Sequence, residues 1–232
     1  TLSGLVSNTT YYAWVRSNCN TTDQSSWVSS PVSFKTLCSS FDIPYSQNFN
    51  SVTAPALPAC TSIQNAGLGN NWATYNFTAS NFGFSVGNAL RYTYNTANAA
   101  NAWFYTEGLN LIAGTEYMIR YRAGSSNTEY PDKMKVAIGT SAVNTAMTTV
   151  LADHNPLVGA SSNVETAYFT PPTSGVYYLG FNAYSNKDMA YIYVDDITVD
   201  FAPLCKVPVS VNAATAIGEN TATLNWTSSP SS

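Results

Sequence analysis

Asp195 and Asp196 are the only adjacent carboxylates in the sequence, and they interrupt the apolar run Y-I-Y-V-D-D-I-T-V at 191–199. Neighbouring strand residues point to opposite faces, so at least one of the two meets a packed layer unless the strand bends there. A bare carboxylate in such a layer must be compensated by a cation or by hydrogen bonds. Acid–base chemistry of the glycosidase kind needs two carboxyl groups facing across a cleft. Glu107, Glu116, Glu129 and Glu165 are the candidates, and no spacing among them singles out a pair. His154 is the single histidine and stands in D-H-N-P, which reads as a turn. No serine sits in G-x-S-x-G and no glycine-rich phosphate loop is present, so the sequence points away from an enzyme. Asp132, Asp153 and Asp188 read as solvated turn residues.

The aromatic residues are the stronger lead. Trp72, Tyr75, Trp103, Tyr105, Tyr130 and Tyr184 lie in or near polar stretches. An exposed ring beside Asn, Asp or Arg can stack on a sugar and leave its hydroxyls to the polar neighbours. Asn70-Asn71-Trp72 and N-T-E-Y-P-D at 127–132 look most like binding loops. The competing reading puts Trp72 and Trp103 in a sandwich core.

The elements that must carry these residues are strands. The 232 residues hold only 9 % charged side chains, against about 25 % in an ordinary domain. The missing charge is replaced by 27 Ser, 27 Thr and 24 Asn, and Tyr is high at 16. These types favour turns and strands over helix interiors. Alternating runs occur at 89–95, 116–123, 133–139, 176–184 and 190–199, bounded by Gly, Pro, Asn or Ser, and shorter ones at 82–86, 103–105 and 164–170. Many short strands at close spacing imply an all-β sandwich. The net charge of −4 argues against nucleic acid, and no run of 18 apolar residues suggests membrane insertion. The cysteines Cys19, Cys38, Cys60 and Cys205 are widely spaced, with no C-x-x-C, which fits disulfides in an oxidising setting better than zinc.

Three segments resemble known families. I-P-Y-S-Q-N-F-N-S-V at 43–52, F-T-P-P-T-S-G-V-Y-Y-L-G-F at 169–181 and the 191–199 run resemble the cleaved-adhesin jelly roll, a relative of MAM-like and choice-of-anchor domains. Leu5, Thr9, Tyr11 and Val15 stand at the spacing of a fibronectin type III tyrosine corner and the strand that follows it. Residues 208–227, with Trp226 as a buried tryptophan, resemble the opening strands of the next such module. The resemblance divides the chain into 1–38 (the back half of a type III module), 39–203 (a jelly roll) and 204–232 (the front half of another).

The same resemblance carries further expectations. It implies a large secreted or surface repeat protein whose segment spaces and adheres; the alternative is a carbohydrate-binding accessory module of a secreted hydrolase. Glycans, a host or substrate surface, neighbouring modules and strand-adding chains are the partners it suggests. In the resembled family the D-D pair belongs to a structural calcium site near the first strand. Asn48 and Asn50 stand where relatives usually carry an acidic residue, so the ligand set becomes Asp195, Asp196, Asn48 and Asn50 with reduced charge. Type III strand order puts Cys38 at the pole next to the central domain, whose first long loop holds Cys60, and this implies a Cys38–Cys60 bridge. Cys19 and Cys205 then look for partners elsewhere; a Cys19–Cys205 bond is the alternative.

Overall fold

The computed structural model describes residues 1–157, 163–206 and 210–227. Among them there is no α-helix, only one 3-10 turn at Asn144–Ala146. The strands are β1 (Thr10–Ala13), β2 (Val32–Lys35), β3 (Tyr45–Gln47), β4 (Ser62–Asn65), β5 (Trp72–Phe77), β6 (Gly87–Tyr92), β7 (Ala102–Tyr105) and β8 (Leu109–Leu111). They continue as β9 (Tyr117–Ser125), β10 (Asp132–Gly139), β11 (Thr149–Leu157), β12 (Asn163–Phe169), β13 (Gly175–Ala183), β14 (Ile192–Phe201), β15 (Ser210–Thr215) and β16 (Thr223–Thr227).

Two six-stranded antiparallel sheets make the sandwich. The first runs β11-β10-β13-β7-β4, with β8 also on β13; the second runs β12-β9-β14-β6-β5, with β3 also on β14. Alternation explains the layers. On β13, Tyr177, Leu179, Phe181 and Ala183 face inward, and on β14 Ile192, Val194, Ile197 and Val199 meet them. Each fully buried Leu, Ile or Phe contributes roughly 1.5–3 kcal/mol. Aromatic pairs join the layers edge to face: Tyr121 and Phe181 have ring centroids 5.5 Å apart, Phe49 and Phe104 5.6 Å.

The inward set on β14 skips from Val194 to Ile197, which requires an extra residue. A bulge supplies it between Asp195 and Thr198, with Asp196 in the left-handed region at φ 50°. The strand therefore bends at the D-D pair, and neither carboxylate enters the main core.

Strand β11 departs from the sequence reading. His154 is not in a turn but on an edge strand, where Pro156 is tolerated because no neighbour needs its missing N–H. Asn70 and Asn71 lie in the connection before β5, and Trp72 opens that strand's ladder with β6. The disulfide Cys38–Cys60 is present, with Cα atoms 5.7 Å apart. Cys19 and Cys205 are exposed free thiols, so the alternative bridge is not formed.

Two further two-stranded ladders are described. In β1–β2 the backbone N–H of Val6 donates to the Tyr11 hydroxyl at 2.8 Å. In β15–β16, Trp226 is 61 % exposed rather than buried, because among the described residues no opposing strand covers its face.

One buried polar knot pins the sandwich. Asp132 is fully buried, not a solvated turn residue. It accepts from the Ser125 hydroxyl at 2.7 Å and the Ser185 hydroxyl at 2.8 Å, joining the start of β10 to the end of β9 and the loop after β13. Burial raises its pKa, and the two serines pull it back down. Asp132→Ala leaves both buried hydroxyls without their acceptor and is expected to cost about 2–4 kcal/mol in denaturant unfolding. Asp132→Asn, which keeps one acceptor oxygen, is expected to cost less; equal losses would show that the knot's hydrogen bonds do not carry the effect.

Candidate functional site

The β14 bulge was expected to hold a calcium ion, and its hydrogen bonds test whether its residues suit one. Asp196 turns outward and its carboxylate lies 3.3 Å from Arg122 Nε, so a guanidinium already supplies positive charge there. Asp195 is half-buried and accepts the backbone N–H of Asp196 at 2.8 Å. Burial lifts its carboxyl to about 7; the Asp196 N–H opposes the shift, the Asp196 charge adds to it, and Arg122 opposes it.

Register places Ile197 opposite Gln47, which brings Asn48 to the edge of the bulge. Asn48 Oδ1 accepts the backbone N–H of Asn50 at 3.2 Å, and Asn50 Oδ1 turns to β6 and accepts the N–H of Asn88 at 2.7 Å. The Asn88 carboxamide in turn donates to the carbonyls of Phe49 (3.1 Å) and Val52, while Asn76 donates to its oxygen at 2.9 Å. The chain's own N–H groups thus donate to the amide and carbonyl oxygens beside the bulge. Of the four expected ligands, Asp196 pairs with Arg122, Asp195 takes a backbone N–H, and Asn48 and Asn50 belong to a hydrogen-bonded amide cluster. Among the described residues no group of three or more His, Cys, Asp or Glu side chains could hold a metal.

The remaining titratable groups are tied or dispersed. Glu107 is buried and receives the Tyr45 hydroxyl in a short hydrogen bond, with Gln47 Nε2 at 3.3 Å. Burial first, and the Glu107 charge second, raise the Tyr45 pKa. Glu116 is closed by Lys206 at 2.6 Å. Glu129 stands exposed between β9 and β10, and Glu165 lies on β12. His154 Nε2 lies 2.8 Å from the Tyr121 hydroxyl, and burial lowers its pKa against the opposing charges of Glu165 and Asp153.

The aromatic candidates divide between opposite faces. Trp72 is 2 % exposed, donates its indole N–H to the Ala102 carbonyl at 2.9 Å and packs on Tyr92; it is a core residue and offers no face to a sugar. Tyr130 is exposed and stands apart in the β9–β10 connection. Tyr75 lies on the outer face of the second sheet, where the Arg91 guanidinium sits 4.1 Å from its ring centroid and 5.2 Å from that of Tyr191. Tyr94 meets Tyr191 edge to face at 5.3 Å.

Trp103 and Tyr184 belong to the outer face of the first sheet. Trp103, 7 % exposed, stacks on Tyr105 beneath the 140–148 segment. That segment needs Gly180, where a Cβ would lie 2.9 Å from Met147 Sδ and 3.0 Å from Trp103 Cε3. Tyr184 is half-buried; its hydroxyl donates to Asp153 and its ring takes Lys135 Nζ at 5.1 Å from the centroid. Burial and Asp153 push its pKa up to about 12.

Sequence reasoning missed Arg91 and Tyr191. The cross-strand signal was available for Arg91, which lies in an alternating run beside Tyr92, but its ring partners come from β5 and the start of β14.

No family model matches the chain, and no curated protein matches it. Solved structures do. The K1 cleaved adhesin domain of Lys-gingipain from Porphyromonas gingivalis W83 superposes with TM-score 0.54 at 16 % identity, covering 69 % of this chain and 99 % of that domain. The K2 domain of Lys-gingipain gives 0.54 at 18 % identity over 68 % of this chain and 99 % of its own length. The K3 domain from the same organism gives 0.51 at 16 %, over 67 % and 96 %. The likeness is one of fold: an adhesin-like β-sandwich.

Two outcomes follow at the bulge. Excess chelator is expected to leave the melting temperature within about 1 °C, since the polar groups at the bulge have partners within the chain; a fall of several degrees would place an ion there. The Asp195 carboxyl titrates near 7 when folded and near the ordinary aspartate value of 3.8 when unfolded. Between those values the folded chain holds a proton the unfolded chain has lost, so this group's contribution to stability grows as pH falls from about 7 to about 4. Asp195→Asn is expected to melt above the parent at pH 8, with the gap closing toward pH 4; a gap independent of pH would contradict the assignment.

Proposed function

We propose that the chain is a non-catalytic segment of a large secreted or cell-surface repeat protein, serving adhesion and spacing. The observation that carries this reading is the Tyr75–Arg91–Tyr191 cluster, a half-buried aromatic and guanidinium face packed on the outer apolar cluster of Phe77, Phe84, Ala89 and Tyr193, in a sandwich whose carboxylates are tied or scattered. Tyr and Arg dominate the residues that carry binding energy at protein surfaces, because they bring large contact area and hydrogen bonding together. Low charge suits the role: Ser, Thr and Asn solvate the surface without steering charged partners. No helix among the described residues is long and apolar enough to cross a membrane.

The two-stranded ladders fit the same reading. In the proposed division, 1–38 and 204–232 are halves of fibronectin type III modules around a 39–203 jelly roll. Val32, Val211, Leu224 and Trp226 are exposed on those ladders, as expected for faces covered by further strands of an array or by a strand-adding chain. The Tyr11 hydroxyl bond to Val6 supports the tyrosine-corner part of this reading.

A second reading, a carbohydrate-binding accessory module, draws on the half-buried Tyr184 ring beside Lys135 and Asp153.

Labelled chain is expected to bind immobilised mucin saturably, and Tyr75→Ala with Tyr191→Ala to weaken binding by about tenfold or more, the range of a lost hot spot. The same chain is expected to release no reducing ends from soluble polysaccharides. Release of reducing ends, or mucin binding indifferent to both substitutions, would overturn the proposal.

A further inference from the structure

One face of the β1–β2 ladder carries an aromatic row that neither reading above uses. Antiparallel pairing puts Thr10 opposite Lys35, Tyr11 opposite Phe34, Tyr12 opposite Ser33 and Ala13 opposite Val32. Alternation therefore gives Tyr11, Ala13, Val32 and Phe34 one face and Thr10, Tyr12, Ser33 and Lys35 the other. Pairing runs on past the strands: the Val28 N–H donates to the Val15 carbonyl and the Ser25 N–H to the Ser17 carbonyl, both at 3.0 Å. Trp14 continues the second face, its ring 6.3 Å from that of Tyr12. The Arg16 guanidinium sits over the Trp27 ring, 4.7 Å from its centroid. Further strands that covered the Tyr11–Phe34 face would leave this one open.

The row is accessible. Trp14 is 49 % and Trp27 56 % exposed, and Tyr12 is exposed beside them, whereas the sandwich tryptophans Trp72 and Trp103 are buried. Trp14, Trp27 and Val28 line an open hollow of about 530 Å³, a volume within the range of ligand sites. Cations flank the rings. Arg16 and Lys35 are the basic side chains of residues 1–38, against the single carboxylate Asp23, while the whole chain stands at −4. Among the described residues neither cation meets a carboxylate in an ion pair.

We infer that this face binds an acidic polysaccharide whose sugars carry carboxylates. The exposed rings offer flat apolar area to the C–H faces of sugar rings. The guanidinium is planar and always charged, stacking on Trp27 restricts its orientation, and its N–H fork can donate to both oxygens of a carboxylate. Lys35, at the far end of the row, supplies a second cation. From Thr10 to Arg16 the row runs about 20 Å at the rise of a strand, long enough for a short run of sugars.

Other ligands answer only part of this surface. A neutral glycan leaves both cations without a counter-charge. An acidic peptide brings carboxylates but no sugar faces for the rings. Nucleic acid brings a phosphate with every nucleotide to a face with two basic side chains, on a chain of negative net charge. The inference stands on β1–β2 and rests neither on the Tyr75–Arg91–Tyr191 surface nor on Tyr184.

Affinity electrophoresis of the full chain tests it, with polygalacturonate and alginate in separate gels and galactomannan, polyglutamate and poly(dT) as controls. At least one of the two uronate polymers is expected to retard the chain, and the controls are not. Trp14→Ala should weaken retardation about tenfold or more, the range of a lost hot spot. Arg16→Gln should weaken it several-fold and flatten its dependence on salt. Both replace exposed side chains, so the melting temperature is expected to stay within about 1 °C. Should Trp14→Ala disturb the ladder, Arg16→Lys, which keeps the charge and loses the planar fork, is expected to weaken retardation several-fold. Tyr75→Ala with Tyr191→Ala should leave retardation intact.

No retardation by either uronate polymer overturns the inference, as does retardation unchanged in Arg16→Gln or in a folded Trp14→Ala. Equal retardation by galactomannan, polyglutamate or poly(dT) also overturns it, and would assign the face to a neutral glycan, an acidic peptide or nucleic acid. Uronate retardation that survives when the Tyr75/Tyr191 variant loses mucin binding supports a second, separate site.

Discussion

A sandwich in which both sheets are covered on parts of both faces leaves little water for its polar groups, and that constraint shapes the rest of the molecule. Backbone groups are served by the ladders, but each buried side-chain oxygen or nitrogen must find a partner of its own. The structure meets the demand with local knots rather than with charge. Glu107 binds Tyr45 and Gln47; Asp132 binds Ser125 and Ser185; Asn88 gathers Asn50, Asn76 and two loop carbonyls. These knots sit where strands begin or end, so they fix how loops enter the sheets. The abundance of Ser and Asn is thus partly an internal requirement, not only a property of the surface.

The β14 bulge follows from the same constraint. Without its extra residue, alternation would carry Asp196 into the layer occupied by Val194 and Val199. With it, the inward set resumes at Ile197 and both carboxylates move to the rim, where Arg122 and a backbone N–H meet them. Beside the bulge, Asn48 and Asn50 join a hydrogen-bonded amide cluster with Asn88 and Asn76.

The strands were legible where alternation was clean. The runs at 116–123, 133–139, 176–184 and 190–199 became β9, β10, β13 and β14 with ends shifted by one or two residues. Strand β11 was not, because D-H-N-P carries turn chemistry that pairing with β10 overrides. The Cys38–Cys60 bond followed from family resemblance and is present. The site was less legible. Whether Trp72 or Trp103 shows a face depends on which strand covers it, and Asp132 looks like a turn residue until Ser125 and Ser185 close on it.

The account is most exposed to test at Asn88, whose carboxamide bridges Asn76 and the carbonyls of Phe49 and Val52. The direct measurement is denaturant unfolding of Asn88→Ala beside the parent chain. The account predicts a loss of about 2–4 kcal/mol, because several buried polar groups lose their partner at once. A loss below about 0.5 kcal/mol would contradict it.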